Sequence, residues 1–278
     1  MCIRDSILGL TKVVDLPGLC TAAGAPLGAE DIEALLREAE RFCTEMVAPG
    51  WQEADRQGTT YANGTVTVPA HYHALMRAWI ESGWQGVAAP EAHGGQGLPH
   101  AIWTAVVELA SAADMAFFLG PILTAGAIDL LQGHATPDQQ ARWLPQLVSG
   151  AWPGTMNLTE PQAGSDLAAI RSRAEPLGDG RYALHGQKIY ITWGEHETTE
   201  NILHLVLARL PGAPEGSRGI SLFAAPKILP DGRRNALRCG GIERKLGIHA
   251  SPTCIMLFEG ARTELIGQPH RGLPAMFA

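Results

Sequence analysis

A chain of 278 residues with 46% hydrophobic content and a mean hydropathy near zero carries apolar material for about two packed domains, which excludes a disordered segment. A net charge of −7, with no basic run longer than Arg233-Arg234, argues against a nucleic-acid or anionic membrane surface. Five widely spaced cysteines (Cys2, Cys20, Cys43, Cys239 and Cys254), odd in number and without a C-x-x-C pair, argue against a disulfide framework or a structural zinc site and point to a reducing compartment.

Along the chain, Arg4, Asp5, Lys12 and Asp15 interrupt any signal-like apolar stretch, and no run reaches the roughly 20 apolar residues of a membrane span, so a cytoplasmic protein without a membrane partner is expected. From Ile32, apolar positions at Leu35, Leu36, Ala39, Phe42, Cys43, Met46 and Val47 follow the spacing of one helix face. A second helix starts at Pro69, with Tyr72, Leu75, Met76, Trp79 and Ile80 inward and Gly83 past its end. Ala101 to Ala113 and Pro121 to Leu131 read as two more. Thr136-Pro137-Asp138-Gln139 reads as an N-cap, an N1 proline and a capping Gln for a fifth helix ending at Gly150. Five helices and no strand signal predict an α-bundle.

Two features of this half resist simple assignment. The stretch Pro90 to Pro99, with Gly94, Gly95 and Gly97, predicts a close backbone approach; it lacks the Lys-Ser/Thr of a phosphate loop. The pair His71 and His73, like Glu195-His196-Glu197, has metal-ligand spacing but reads as surface polarity, and no metal is expected. Asn63-Gly64-Thr65 and Asn157-Leu158-Thr159 match the glycosylation pattern by chance.

After Leu158-Thr159-Glu160-Pro161-Gln162-Ala163-Gly164-Ser165-Asp166, a loop built of conformational punctuation and short hydroxyls, the period changes. Gly178-Asp179-Gly180 reads as a turn into a strand from Tyr182 to Thr192, and Ile202–Ala208, Gly219–Ala225 and Thr253–Phe258 read as further strands. The fold class is therefore α+β: an N-terminal α-helical bundle (28–151, after a lead of 1–27) and a small antiparallel β-barrel or sandwich (152–265). Residues 266–278 read as a loop entering a further helical domain that stops after one turn, a helix with no partner for its apolar side.

The Leu158 to Asp166 run, the Gly94-Gly95-Gln96-Gly97-Leu98-Pro99 turn, Gly186-Gln187-Lys188-Ile189-Tyr190-Ile191-Thr192 and Lys245-Leu246-Gly247-Ile248-His249-Ala250-Ser251 resemble, in this order, the landmarks of the flavin-dependent acyl-CoA dehydrogenases. The resemblance covers roughly residues 28 to 278; residues 1–6 resemble no segment of the family and are set aside. Gln162, Thr192-Trp193-Gly194-Glu195-His196 and Gly247 to Thr253 are most similar to the 3-methylmercaptopropionyl-CoA dehydrogenase subgroup.

The resemblance implies FAD as cofactor and an acyl-CoA as substrate. It implies a separate acceptor such as an electron-transfer flavoprotein, and a homo-oligomer when the chain is full length. By the same resemblance Met156, Asn157, Leu158, Thr159, Gly164 and Ser165 line the flavin edge, with Thr159 bonded to it and Ser165 also facing the thioester arm of the substrate. Tyr190, Ile191 and Thr192 cover the rest of the ring, with the Thr192 hydroxyl near N5; most relatives carry Trp at the position of Tyr190. The catalytic base, a buried Glu, is expected beyond Ala278, with Glu160 a loop-bracing carboxylate, so the 278-residue chain alone is expected not to turn over. An acyl-CoA oxidase, a DNA-binding alkylation-response relative and a non-enzymatic module are the alternatives left at this point.

Overall fold

The computed structural model describes residues 3–22, 24 and 27–277. The first part is helical: α1 (Ile3–Leu8), α2 (Leu16–Ala22), α3 (Ala29–Phe42), α4 (Trp51–Gln57), α5 (Ala70–Ser82), α6 (His100–His134) and α7 (Pro137–Val148). Ile3 is buried in the helical core, so part of the segment set aside above is packed; Met1 and Cys2 lie outside the described residues. The apolar stripe of α3 buries Ile32, Leu36, Ala39 and Phe42, but Met46 is exposed. Between Cys43 and Val47 the coil widens to a π turn, which rotates later positions out of the 3.6-residue register. For α7 the expected cap forms, Thr136 Oγ1 accepting the Gln139 N–H and Gln139 Oε1 accepting the Thr136 N–H.

The two helices expected at Ala101 and Pro121 are the segments of α6, which breaks at Asp114 (φ −155°, ψ 95°). The second segment starts earlier than expected because Asp114 caps it, Oδ1 accepting the Phe117 N–H at 3.1 Å, and Pro121 lies inside it. By length and composition α6 is the one helix among the described residues fit to cross a membrane, contrary to expectation, but it runs through the packed core.

A hairpin inside the helical half was also not expected: β1 (Thr60–Ala62) pairs with β2 (Thr65–Thr67) through Asn63 and Gly64, both at positive φ. Asn-Gly is a strong two-residue hairpin signal, here read only as part of a chance glycosylation match. In the Pro90–Pro99 turn the close approach is to the chain itself: a Cβ on Gly95 would lie 2.1 Å from the Ala89 carbonyl oxygen, and Gln96 N–H reaches Gly86 C=O.

The second part is built from β3 (Gly154–Asn157), β4 (Arg173–Pro176), β5 (Arg181–Thr192), β6 (Leu203–Arg209), β7 (Ile220–Pro226), β8 (Leu237–Ile242) and β9 (Thr253–Ile266). The pairings β6-β4-β5-β9-β7 return to β6 and close a barrel, with β3 added beside β6 and β8 beside β9. Most pairs are antiparallel; β3 and β4 run parallel to β6. At the β4–β6 seam Arg209 donates to the carbonyls of Ile170, Ala168, Gly216 and Pro214, holding the chain that leaves the Leu158 to Asp166 loop.

Every residue of β6 but the last is buried, because both faces are covered. Val206 and Ala208 join the barrel interior with Leu184, Phe223 and Met256, while Leu203, Leu205 and Leu207 pack outward on the second segment of α6 and on α7. A short α8 (Gly272–Met276) follows β9. It does find a partner, contrary to expectation: Ala275 and Met276 join the core shared by α6, α7 and the barrel, and Gly272 lies so close to Ser221 that a Cβ would meet its backbone at 2.4 Å.

Candidate functional site

The Leu158 to Asp166 loop leaves β3 and turns at Pro161, where Glu160 and Ala163 exchange backbone hydrogen bonds at 2.9 and 3.0 Å. Glu160 folds back under the turn. It accepts from Lys188 Nζ (2.8 Å), Ser172 N–H (3.0 Å), Arg171 N–H (2.7 Å) and Gln162 Nε2 (2.6 Å). Burial pushes this carboxyl up, but the Lys188 ammonium and the hydrogen bonds from Ser172 and Arg171 outweigh burial and hold it at about 2. Lys188 is wholly buried; desolvation draws its pKa down to about 8 against the pull of Glu160, and its other hydrogen bond is to the Leu158 carbonyl at 2.9 Å. Glu160 is thus a brace between loop and β5.

With the underside occupied, the loop turns Gln162, Gly164 and Ser165 to solvent, and Thr159 is half-buried. A second tie, Ile189 N–H to Thr159 C=O at 2.9 Å, sets the loop against the end of β5, where Ile189 and Tyr190 bulge out of the β5–β9 register. Tyr190 is 60% exposed and, like Trp193, has a left-handed backbone (φ 60° and 53°). Thr192 stands between them, half-buried.

The residues singled out in the sequence divide by direction. Thr159, Gly164, Ser165, Tyr190 and Thr192 are open to an approaching group on the joined loop and strand end. Met156 points the other way, its methyl group against Gly126 of α6. Asn157 faces the barrel interior, Nδ2 donating to Thr155 Oγ1, and Ile191 lies in the barrel core, so these two offer the site backbone only. Leu158 is half-buried and packs against the core shared by the helices and the barrel.

The open set suits a planar group with a polar edge. The hydroxyls of Thr159, Ser165 and Thr192 and the N–H groups of Gly164 and Ser165 have no hydrogen-bond partner among the described residues, and a Cβ on Gly164 would meet nothing within 4 Å. Uncommitted donors on one edge can stabilise negative charge that develops on a bound ring. No group of three or more His, Cys, Asp or Glu among the described residues could hold a metal ion; His73 instead lies 3.3 Å from Glu197, with which it forms an ion pair when protonated.

Sequence reasoning missed what stands behind Thr192. Trp193 is fully buried and joins the helical core, and Glu195 is enclosed with Lys227 and Arg234 as ion-pair partners. Within the barrel, Asn157 Nδ2 donates to Thr155 Oγ1, which is 2.8 Å from His204 Nδ1. Both Trp193 and Glu195 stood in a quoted motif, but no periodicity marks a residue that reaches into another domain.

Comparison with known proteins gives the same domain order. The N-terminal domain of acyl-CoA dehydrogenases matches residues 29–151, and their middle domain matches residues 155–261. The chain is 47% identical to a 3-methylmercaptopropionyl-CoA dehydrogenase of Ruegeria pomeroyi, over 99% of this chain and 48% of that protein. It is 33% identical to the broad-specificity linear acyl-CoA dehydrogenase FadE5 of Mycobacterium tuberculosis, over 99% of this chain and 47% of that one. An acyl-CoA dehydrogenase of Bacillus anthracis, solved in complex with FAD, superposes with a TM-score of 0.74 at 23% identity, covering 90% of this chain and 39% of that one, which shows a shared fold. The chain spans about half the length of the curated relatives it matches.

Proposed function

The chain belongs to the acyl-CoA dehydrogenase family, and on that premise we propose that it carries the flavin-holding and thioester-facing part of an FAD-dependent enzyme that forms an α,β double bond in an acyl-CoA. The substrate best supported is 3-methylmercaptopropionyl-CoA, on 47% identity to an enzyme of that name. One observation carries the reading: the Ile189 to Thr159 bond joins two segments whose hydroxyls, on Thr159, Ser165 and Thr192, are all uncommitted.

FAD, when bound, accepts the β-hydride at N5. This chain's share is to hold and orient. Thr159 and the Gly164 and Ser165 amides would hold the polar edge of the ring, Thr192 and Tyr190 would hold the rest of it, and Ser165 would also meet the thioester arm. Glu160 does not remove the α-proton, because its two oxygens are taken by four donors and its pKa is far below that of a useful base. By the same reading the base is a carboxylate outside residues 1–278, electrons pass to a separate acceptor such as an electron-transfer flavoprotein, and the enzyme assembles as a homo-oligomer.

Titration of the 278-residue chain with FAD, followed by flavin fluorescence, tests this reading. The chain is expected to bind FAD, and Thr192→Val to weaken binding roughly five-fold, the worth of one hydrogen bond. Addition of 3-methylmercaptopropionyl-CoA is expected to leave the flavin unbleached. Absence of FAD uptake overturns the site, and bleaching overturns the placement of the base.

A further inference from the structure

We infer that Trp193 is a positioning residue that sets Thr192 at the flavin edge by bolting the end of β5 to the kink of α6; this rests on the flavin reading above. A left-handed backbone is unfavourable for a bulky side chain and persists only where surrounding structure imposes it. At Trp193 the imposition is visible. Its N–H donates to Pro252 C=O at 2.6 Å, its indole Nε1–H to Ala116 C=O at 3.1 Å, and its ring stacks on Tyr72 with centroids 6.0 Å apart and 21° between planes.

The acceptor, Ala116, is two residues past the break in α6. The hydroxyl of Tyr72 donates to Asp114 Oδ2 at 2.9 Å, while the other oxygen of Asp114 caps the second helical segment. Gly120 completes the fit, since a Cβ there would lie 3.1 Å from the indole. Trp193 therefore touches the helix break through a hydrogen bond, a stacked ring and a glycine. Thr192 has no side-chain partner among the described residues, so its direction follows from its backbone, and the residue after it is the one held by the helix. A change at the break of α6 is carried to the hydroxyl beside the flavin.

A mere core residue would affect stability without acting through Thr192, and a double-mutant cycle separates the two roles. Trp193→Phe keeps a ring and removes the indole donor. In the 278-residue chain it is expected to weaken FAD binding roughly five-fold by fluorescence titration, and the double variant with Thr192→Val to bind no more weakly than Thr192→Val alone. Losses that multiply, or Trp193→Phe binding FAD like the wild type, overturn the role of Trp193 and leave the flavin reading standing; a wild-type chain that takes up no FAD overturns both. Should Trp193→Phe not fold, Tyr72→Phe, which keeps the indole and removes the hydroxyl bonded to Asp114, replaces it with the same expected and overturning results.

Discussion

Glu160 and Lys188 are nearly solvent-free and 2.8 Å apart, and each has further hydrogen bonds to loop or strand. Removing one member of such a pair leaves the other charge buried without its counter-ion, which costs about 3–5 kcal/mol, whereas replacing both with apolar groups costs much less. Glu160→Gln is therefore expected to lower stability to urea by about 3 kcal/mol, and the double variant with Lys188→Met to recover most of it; equal losses in both would show that the pair is not the brace. At this scale sequence was a poor guide to where side chains point. The signature run was legible because glycine, proline and short hydroxyls have local conformational meanings. That Asn157 turns inward was not, because a strand of four residues carries little pattern, and that Lys188 is buried was not, because the bulge at Ile189 and Tyr190 shifts the alternation by an amount no sequence pattern states.

Among the elements, β6 shows how a polar residue inside an apolar strand makes the barrel sensitive to acid. His204 is fully buried between Val206 and the end of the strand, and desolvation lowers its pKa to about 4; burial, then the charge of Lys227, lowers that of His196 to about 3. Both values lie below the ordinary 6.5, so acid protonates these rings first in the unfolded chain. The stability they support is complete above about pH 6.5 and lost as pH falls toward 4, by about 2–3 kcal/mol per ring at pH 4.5. Urea midpoints measured from pH 7 to 4.5 should fall steeply, and less so in His204→Gln; parallel curves would rule the ring out as a source. Long amphipathic helices and the strands β5, β6, β7 and β9 were legible from their periods. The break in α6 was not, because Asp114 caps a helix in the middle of an apolar run, and β3 and β8 were not, since four to six residues with glycine carry little pattern.

For the whole molecule, the order of bundle then barrel was legible from the change of period, but the way the two parts share a core was not. The first segment of α6 and the start of the second, through Phe118, pack with α3 and α5, and the second from Ala127 onward packs with α7 and the outer wall of β6. No gap in the apolar material follows the linker near residue 152. Far-UV circular dichroism and tryptophan fluorescence are therefore expected to report one coincident thermal transition; two separated transitions would show that the halves fold independently.

The division of α6 between two cores also bears on how such proteins can be recombined. A crossover placed at the linker would hand over the barrel without Ile128, Leu131, Leu144 and Leu147, the residues that cover its outer leucines. The heritable module ends elsewhere: the barrel travels intact only with the end of the long helix and α7, and the natural seam for a chimera lies within α6, between Ile122, packed in the helical core, and Ala127, packed on the barrel wall.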